Sequence, residues 1–226
     1  DAGSAIGACL DNHVQVSPYQ GPYYVNDHVK KVLNEYEGKV IYFKLDDRKI
    51  IRKTAELLRD QKIVAWFQGR MEFGARALGN RSILASPTDP KMREKLNYII
   101  KKREGFRPFA PSVIEEEAHK FFNVKEPVPF MNQVVKAKVD FLPAATHIDG
   151  TCRVQTVRKI RNPKYYSLLE EIGRLTNIPV LLNTSFNLKD ETITMSPKQA
   201  IERYLSSDID FLVINNFLIK KYEVKR

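Results

Sequence analysis

The chain has 226 residues, of which 43% are hydrophobic, enough for one large domain with a real core. Its formal net charge of +10 favours an anionic partner, although the charge alone does not separate nucleic acid from nucleotide or phosphate. The longest apolar runs, such as IVAWF and IPVLL, are far shorter than the roughly 20 residues of a membrane-spanning helix, so no membrane partner is expected.

Hydrophobic periodicity and capping residues predict helices and strands in mixed order. Helices are predicted at 26–38 behind an Asn26 cap, at 50–60, at 89–102 behind an Asp89 cap, at 114–122, at 163–176 and at 196–207 behind a Ser196 cap. Extended segments are predicted at 62–68, 82–86, 107–113, 130–137, 153–157, 178–182, 210–214 and 217–222. Because strands and helices do not alternate strictly, the sequence predicts an α/β (α+β) domain with a mixed sheet, not a barrel.

A loop rich in arginine and glycine, GRMEFGARALGNRSILASP, follows the apolar segment 62–68. Its glycines permit positive φ and close backbone approach; they are Gly69, Gly74 and Gly79. Its arginines carry planar, permanently charged groups; they are Arg70, Arg76 and Arg81. Such a loop suits phosphate, although it matches neither a Walker A loop nor a GxGxxG fingerprint. The alternative is a set of surface arginines in ion pairs, with Glu72 as the obvious partner.

Two later segments compete for the same ligand. KKREGFRPFAP places Lys101, Lys102, Arg103 and Arg107 around a stiff turn, or simply at a solvated helix end. VLLNTSFN runs from an apolar strand into Asn183, Thr184, Ser185 and Asn187, which suits a ligand site or an ordinary turn. Between Arg70 and Arg107 there are ten Lys or Arg residues against four acids, so this window carries six of the ten net positive charges. His147, Asp149 and Arg153 lie in a third motif, where His147 alone predicts no role.

Four motifs together resemble a known family: WFQGRMEFGARALGNRSILASP, KKREGFRPFAP, THIDGTCRVQTV and PVLLNTSFN. In this order, from about Ile50 to Leu218, they are similar to the C-terminal domain of NodU/CmcH-type O-carbamoyltransferases, the nodulation and antibiotic-tailoring family that includes the tobramycin carbamoyltransferase. The resemblance implies a YrdC-like twisted mixed β-sheet with flanking helices over residues 26–226. It also implies that residues 1–25 are a connector and the C-terminal remnant of an ASKHA-type domain.

The resemblance implies a carbamoyltransferase activity that uses carbamoyl phosphate and ATP, with Mg²⁺ entering with the ATP. This domain would form carbamoyl adenylate and release pyrophosphate. The N-terminal ASKHA-type domain of the same full-length chain would then transfer the carbamoyl group to a hydroxyl of a small-molecule acceptor. That domain carries the family's iron site, for which Asp1 matches one metal ligand; the histidine partners would lie upstream, so iron is not expected in this chain.

Motif matching also assigns the site residues. The expected catalytic residues are Lys101, Arg107, Arg76, Arg153 and Ser185. The expected nucleotide- and phosphate-binding residues are Arg70, Gly74, Arg81, Asn183, Thr184 and Asn187. The sequence departs from the family pattern at Ala75, where proline is frequent, and at Asp190, where glycine is frequent.

The sequence also allows two other functions. One is an RNA-binding or tRNA-modification module, but no run of aromatic residues interleaved with basic ones suggests base stacking, so nucleic acid is the weaker expectation. The other is an inactive structural partner of the N-terminal domain. Cys9 and Cys152 form no CxxC pair, and the chain starts without the basic region of a signal peptide, so a cytoplasmic location is expected.

Overall fold

A mixed sheet of eight strands organises the chain, as seen in a computed structural model that describes residues 17–222. Asp1, Cys9 and the rest of residues 1–16, the larger part of the predicted remnant and connector at 1–25, lie outside the described residues. The strands are β1 (Val40–Lys44), β2 (Val64–Phe67), β3 (Arg81–Ala85), β4 (Ala110–Ile114), β5 (Val135–Lys136), β6 (Thr151–Cys152), β7 (Gln155–Val157), β8 (Val180–Ser185), β9 (Phe211–Ile214) and β10 (Phe217–Lys221).

The spatial order of the main sheet is β1-β10-β9-β2-β3-β8-β4-β7, and β5 pairs with β6 in a separate ribbon. The β2–β9 and β4–β7 pairs are parallel, and the other neighbours are antiparallel. The prediction of a mixed sheet in an α/β domain is therefore confirmed.

Helices cover both faces of this sheet. They are α1 (Asn26–Asn34), α2 (Asp47–Arg59), α3 (Pro90–Glu94), α4 (Ala118–Phe121), α5 (Pro163–Thr176) and α6 (Pro197–Leu205). The last residues of the predicted 89–102 helix form a π-helical stretch, Lys95–Lys101, that continues α3. Apolar residues of α2 and α5 build the core on one face, and those of α1, α6 and the π-helical stretch build the core on the other.

Local capping explains most helix starts. Asp89 accepts the N–H of Lys91, with Pro90 as the first helical residue, and Ser196 forms a reciprocal capping box with Gln199. The predicted Asn26 cap is wrong, because α1 already begins at Asn26 and its side chain donates to Asn216 instead. Among residues 17–222, no helix is both long and apolar enough to cross a bilayer.

Gly79 is a packing requirement of the loop between β2 and β3. Its φ is +101°, and a Cβ atom at this position would lie 2.2 Å from Cδ1 of Tyr165 on α5. Tyr165 is fully buried, so its ring has no room to move away. The loop can therefore pack against α5 only if residue 79 has no side chain.

We expect Gly79→Ala to lower the free energy of unfolding by about 3 kcal/mol or more, because it adds both backbone strain and overpacking. The matched control is Gly38→Ala, where φ is +77° but no atom lies within 4 Å of the added Cβ. The control should cost only about 1 kcal/mol. Urea denaturation of both variants measures the difference, and equal losses would contradict the packing role.

Candidate functional site

A cavity of about 390 Å³ opens at one end of β8 and the beginning of β4. Its charged and polar lining is Arg76, Arg103, Arg107, Arg153, His147, Asn183, Thr184 and Ser185. The remaining lining is apolar and includes Phe109, Met131 and Val134. Within residues 17–222, no aspartate or glutamate lines the cavity, so the described lining is strongly cationic.

Strand register explains why distant segments meet here. β4 and β8 are antiparallel, with Ala110 opposite Asn183, so the end of β8 lies beside the start of β4. β7 runs parallel to β4, with Ser112 opposite Gln155, and this brings Arg153 to the same end of the sheet. Side chains two residues apart on a strand share a face, so Asn183 and Ser185 point to the same side.

Glu72 holds the arginine-containing loop in shape. The side chain is only 3% exposed, and its Oε1 accepts the backbone N–H groups of Leu78 at 2.6 Å and Asn80 at 2.8 Å. The N–H of Arg81 reaches the same oxygen at 3.3 Å. Burial raises the pKa of the Glu72 carboxyl, and the backbone N–H groups oppose that rise. Glu72 is thus a buried organiser of the loop and not the surface ion-pair partner considered from the sequence.

Arg153 and Arg103 are the two half-buried arginines of the cavity. Burial lowers the pKa of Arg153, and the positive charge of Arg76 lowers it further. The Nε atom of Arg153 is buried and has no hydrogen-bond partner among the described residues. Burial also lowers the pKa of Arg103, with Arg107 adding to the effect. The repulsion between these cations would be relieved by a bound anion.

Arg103 is held by its neighbours, whereas Arg107 is more exposed. The Arg103 guanidinium lies 4.8 Å from the ring centroid of Phe109, and its Nε donates to Asn97 at 2.7 Å. Arg107 has a side chain that is 55% exposed and pairs with Glu104 at 3.0 Å. Arg103 therefore presents a fixed charge to the cavity.

Lys101 lies behind the cavity wall. Its side chain is only 7% exposed, and its Nζ donates to the Ser185 carbonyl at 2.6 Å and to Oδ1 of Asn187 at 2.7 Å. Ser185 Oγ in turn donates to the same Oδ1 at 2.7 Å. Burial lowers the pKa of Lys101 to about 7, and the charges of Arg103 and Arg203 act in the same direction. Lys101 and Asn187 therefore orient Ser185 and do not line the cavity themselves.

The structure places Arg81 away from the cavity. Its side chain is fully buried and is not part of the cavity lining, and its guanidinium lies 3.5 Å from the ring centroid of Phe67. Its NH1 and NH2 groups donate to the carbonyls of Gln68, Gly69, Asn80 and Pro22. The geometry does not support the predicted phosphate-binding role, because these donors are already taken by the backbone.

Two other predicted residues also lie outside the cavity lining. Arg70 is exposed and donates to the carbonyl of Gly21 at 3.3 Å. Gly74 has a φ of +153° and precedes the lining residue Ala75. Asp190, which stands where the family often has glycine, adopts a φ of +59°, so aspartate takes up the left-handed conformation directly.

Some lining residues were not among the predicted site residues. Arg103 and His147 both lie in quoted motifs, but spacing gave no reason to choose them over their neighbours. Met131 and Val134 come from a segment with little regular structure, and no sequence signal connects that segment to the arginine-containing loop. The cavity lining thus contains Arg76, Arg107, Arg153, Ser185, Asn183 and Thr184 of the predicted set.

Comparisons with known proteins agree on one family. The family model described as the carbamoyltransferase C-terminus matches residues 55–221. The chain is 42% identical to the nodulation protein NolNO of Sinorhizobium fredii and 40% identical to the nodulation protein NolO of Bradyrhizobium diazoefficiens, each over 98% of its length. It covers only 35% and 43% of these two relatives, so it spans less than half their length.

Two solved structures share the fold of this chain over part of their length. The crystal structure of full-length HypF in its phosphate- and nucleotide-bound form matches 78% of this chain and 26% of that protein, with a TM-score of 0.54 at 24% identity. The structure of T. kodakarensis HypF matches 81% of this chain and 22% of that protein, with a TM-score of 0.51 at 17% identity.

We expect the free energy of unfolding to rise with pH above neutrality because of Lys101. An unfolded lysine has a pKa of about 10.4, whereas the folded value is about 7. Between these values the unfolded state binds more protons, so the free energy of unfolding should rise with pH by up to about 1.4 kcal/mol per unit. Urea denaturation from pH 6 to 10 measures the free energy of unfolding of the native chain and of Lys101→Met. The difference between the two values at each pH isolates the contribution of Lys101. If the difference in free energy of unfolding between the two chains does not change with pH, the shifted pKa of Lys101 is contradicted.

Proposed function

The chain belongs to the carbamoyltransferase C-terminal family, and we propose that its cavity binds carbamoyl phosphate and ATP and forms carbamoyl adenylate. The observation that carries the proposal is the lining of the cavity, to which the described residues contribute four arginines, one histidine and no carboxylate. Both proposed substrates carry phosphate charges, and planar guanidinium groups match phosphate oxygens in a bidentate manner. The full-length HypF structure, similar in fold, is itself a phosphate- and nucleotide-bound form.

The proposed chemistry has two steps. Carbamoyl phosphate first reacts with water to give carbamate and inorganic phosphate. A carbamate oxygen then attacks the α-phosphorus of ATP; the new O–P bond forms while the bond to the β-phosphate breaks, and pyrophosphate leaves. Such phosphoryl-type displacement depends mainly on positioning and on neutralising charge, which a cavity of fixed arginines supplies.

The side chains divide this work by their positions. Arg153 and Arg103, half-buried and partly desolvated, neutralise the negative charge that develops on the phosphate oxygens. The more exposed Arg76 and Arg107 attract the incoming anions. Ser185 forms a hydrogen bond with the substrate, in an orientation that Lys101 and Asn187 impose. Lys101 thus acts through Ser185 in this proposal and does not grip the carbamoyl phosphate itself.

The donor groups of the described residues do not fit a protein-held Mg²⁺. Mg²⁺ prefers carboxylate oxygens, and within residues 17–222 there is no cluster of three or more His, Cys, Asp or Glu residues that could hold a metal. The part of the cavity lining that the structure describes also offers no carboxylate. We therefore propose that Mg²⁺ is carried by the ATP phosphates.

Transfer to the final acceptor requires more than this chain in our proposal. The curated relatives are more than twice as long as the matched region. We propose that the additional length contains an ASKHA-type domain that accepts the carbamoyl adenylate and passes its carbamoyl group to a hydroxyl of a small molecule. The acceptor would be chosen there.

We expect the chain to release pyrophosphate from Mg-ATP only when carbamoyl phosphate is present. Arg153→Met should reduce this rate by about 10²–10³-fold, because one preorganised charge on the transition state is lost. The matched control is Arg52→Met, which makes the same charge change at an exposed position on α2. The control should retain the native rate.

Three results would contradict this proposal. They are release that does not need carbamoyl phosphate, an unimpaired Arg153→Met variant, and equal losses in the two arginine variants. Circular dichroism of both variants separates a lost charge from a lost fold.

A further inference from the structure

Asn183 holds a central position in the floor of the cavity. It lies on β8 between β3 and β4, opposite Leu84 on one side and Ala110 on the other. The residue is only 2% exposed, yet it is one of the residues that line the cavity. A buried amide at the wall of a ligand cavity must find partners for both its N–H₂ group and its oxygen.

A chain of hydrogen bonds fixes which way this amide points. Nε2 of Gln155 donates to the carbonyl of Leu78 at 3.0 Å, so Oε1 of Gln155 must face the other way, as an acceptor. Nδ2 of Asn183 donates to that Oε1 at 2.9 Å and to Oγ of Ser112 at 3.2 Å. A flipped Asn183 would place two carbonyl oxygens against each other, so Nδ2 faces the sheet and Oδ1 faces away from these partners.

The oxygen is therefore left as an unused acceptor. Oδ1 of Asn183 is buried and accepts no hydrogen bond within the described part of the chain. Leaving such an acceptor unpaired costs about 1–3 kcal/mol. Arg153, which also lines the cavity, carries the complementary unused group, a buried Nε–H. Two buried polar atoms of cavity-lining residues, one acceptor and one donor, are thus left without a partner within residues 17–222.

A carbamoyl group presents the matching chemistry. Its N–H₂ can donate to Oδ1 of Asn183, and its carbonyl oxygen can accept from a cationic N–H donor such as Nε of Arg153. Acetyl phosphate has the same charge and nearly the same shape, but a methyl group replaces the N–H₂ group. It would leave Oδ1 of Asn183 unpaired.

We infer that Asn183 is a specificity-determining residue, which selects the carbamoyl group by accepting a hydrogen bond from its N–H₂. This inference rests on the proposed function, because it assumes that carbamoyl phosphate occupies the cavity. It assigns Asn183 a different task from the arginines, which bind phosphate in any acyl phosphate. A site that uses a buried acceptor in this way rejects an analogue that lacks the donor.

The test compares dissociation constants of carbamoyl phosphate and acetyl phosphate, measured by calorimetry on the unmodified chain. Pairing the buried acceptor should favour carbamoyl phosphate by about 10–100-fold, because 1.4 kcal/mol corresponds to a factor of ten. Equal affinities would overturn the inference while leaving the proposed function intact. If neither compound binds, the proposed function fails and the inference fails with it.

Two variants separate ligand selection from a purely structural role. Asn183→Leu removes the acceptor at similar size, and the ratio of the two dissociation constants should fall to about 1. Ser112→Ala removes the acceptor of one Nδ2 hydrogen bond and the bond that Oγ donates to Oε1 of Gln155, but it keeps Oδ1 and the bond from Nδ2 to Gln155, so it should keep the native ratio. A ratio unchanged by Asn183→Leu, or lost equally in Ser112→Ala, would contradict the inference. Even if Asn183→Leu does not fold, equal affinities in the unmodified chain would still overturn the inference.

Discussion

One buried carboxylate organises the loop that forms part of the cavity. Oε1 of Glu72 accepts N–H groups from Leu78, Asn80 and Arg81, which closes the loop over the end of the sheet. Burying a carboxylate is expensive unless hydrogen bonds compensate, so this loop conformation and the burial of Glu72 depend on each other. The same closure places the Leu78 carbonyl where Gln155 can donate to it, and so connects the loop to the orientation of Asn183. The shape of the arginine-containing loop and the polarity of the cavity floor therefore have a common origin.

The cavity combines two kinds of recognition at one place. Its four arginines supply positive charge, and only Arg107 among them pairs with a carboxylate within the described residues, that of Glu104, so the lining favours phosphate-bearing ligands in general. Asn183 and Ser185 add directional hydrogen-bonding groups on the end of a buried strand, where strand pairing on both sides fixes their positions. Charge alone would accept many anions, whereas a fixed amide distinguishes ligands by single N–H groups. This division suits the proposed function, because carbamoyl phosphate shares its phosphate with many other metabolites.

Much of the fold could be predicted from the sequence because short-range interactions determine many of its helices and strands. The caps at Asp89 and Ser196 and the helix Pro163–Thr176 follow from short-range chemistry and were predicted as observed. Strand β1 was missed, although its β-branched and aromatic residues are a strand signal, because four of its five residues are not buried. In the site, the sequence indicates the arginine-containing loop, but it does not tell that Arg76 lines the cavity and Arg81 does not. Strand alternation and long-range pairing decide which arginine faces the cavity, and neither is visible before the sheet is assembled.

The measurement that tests the central claim most directly is a crystal structure of the chain soaked with carbamoyl phosphate. Our account predicts electron density for the ligand inside the cavity, with its phosphate in contact with Arg153 and Arg103 and its carbamoyl group beside Asn183. Ligand density at another surface of the chain, with none inside the cavity, would contradict it.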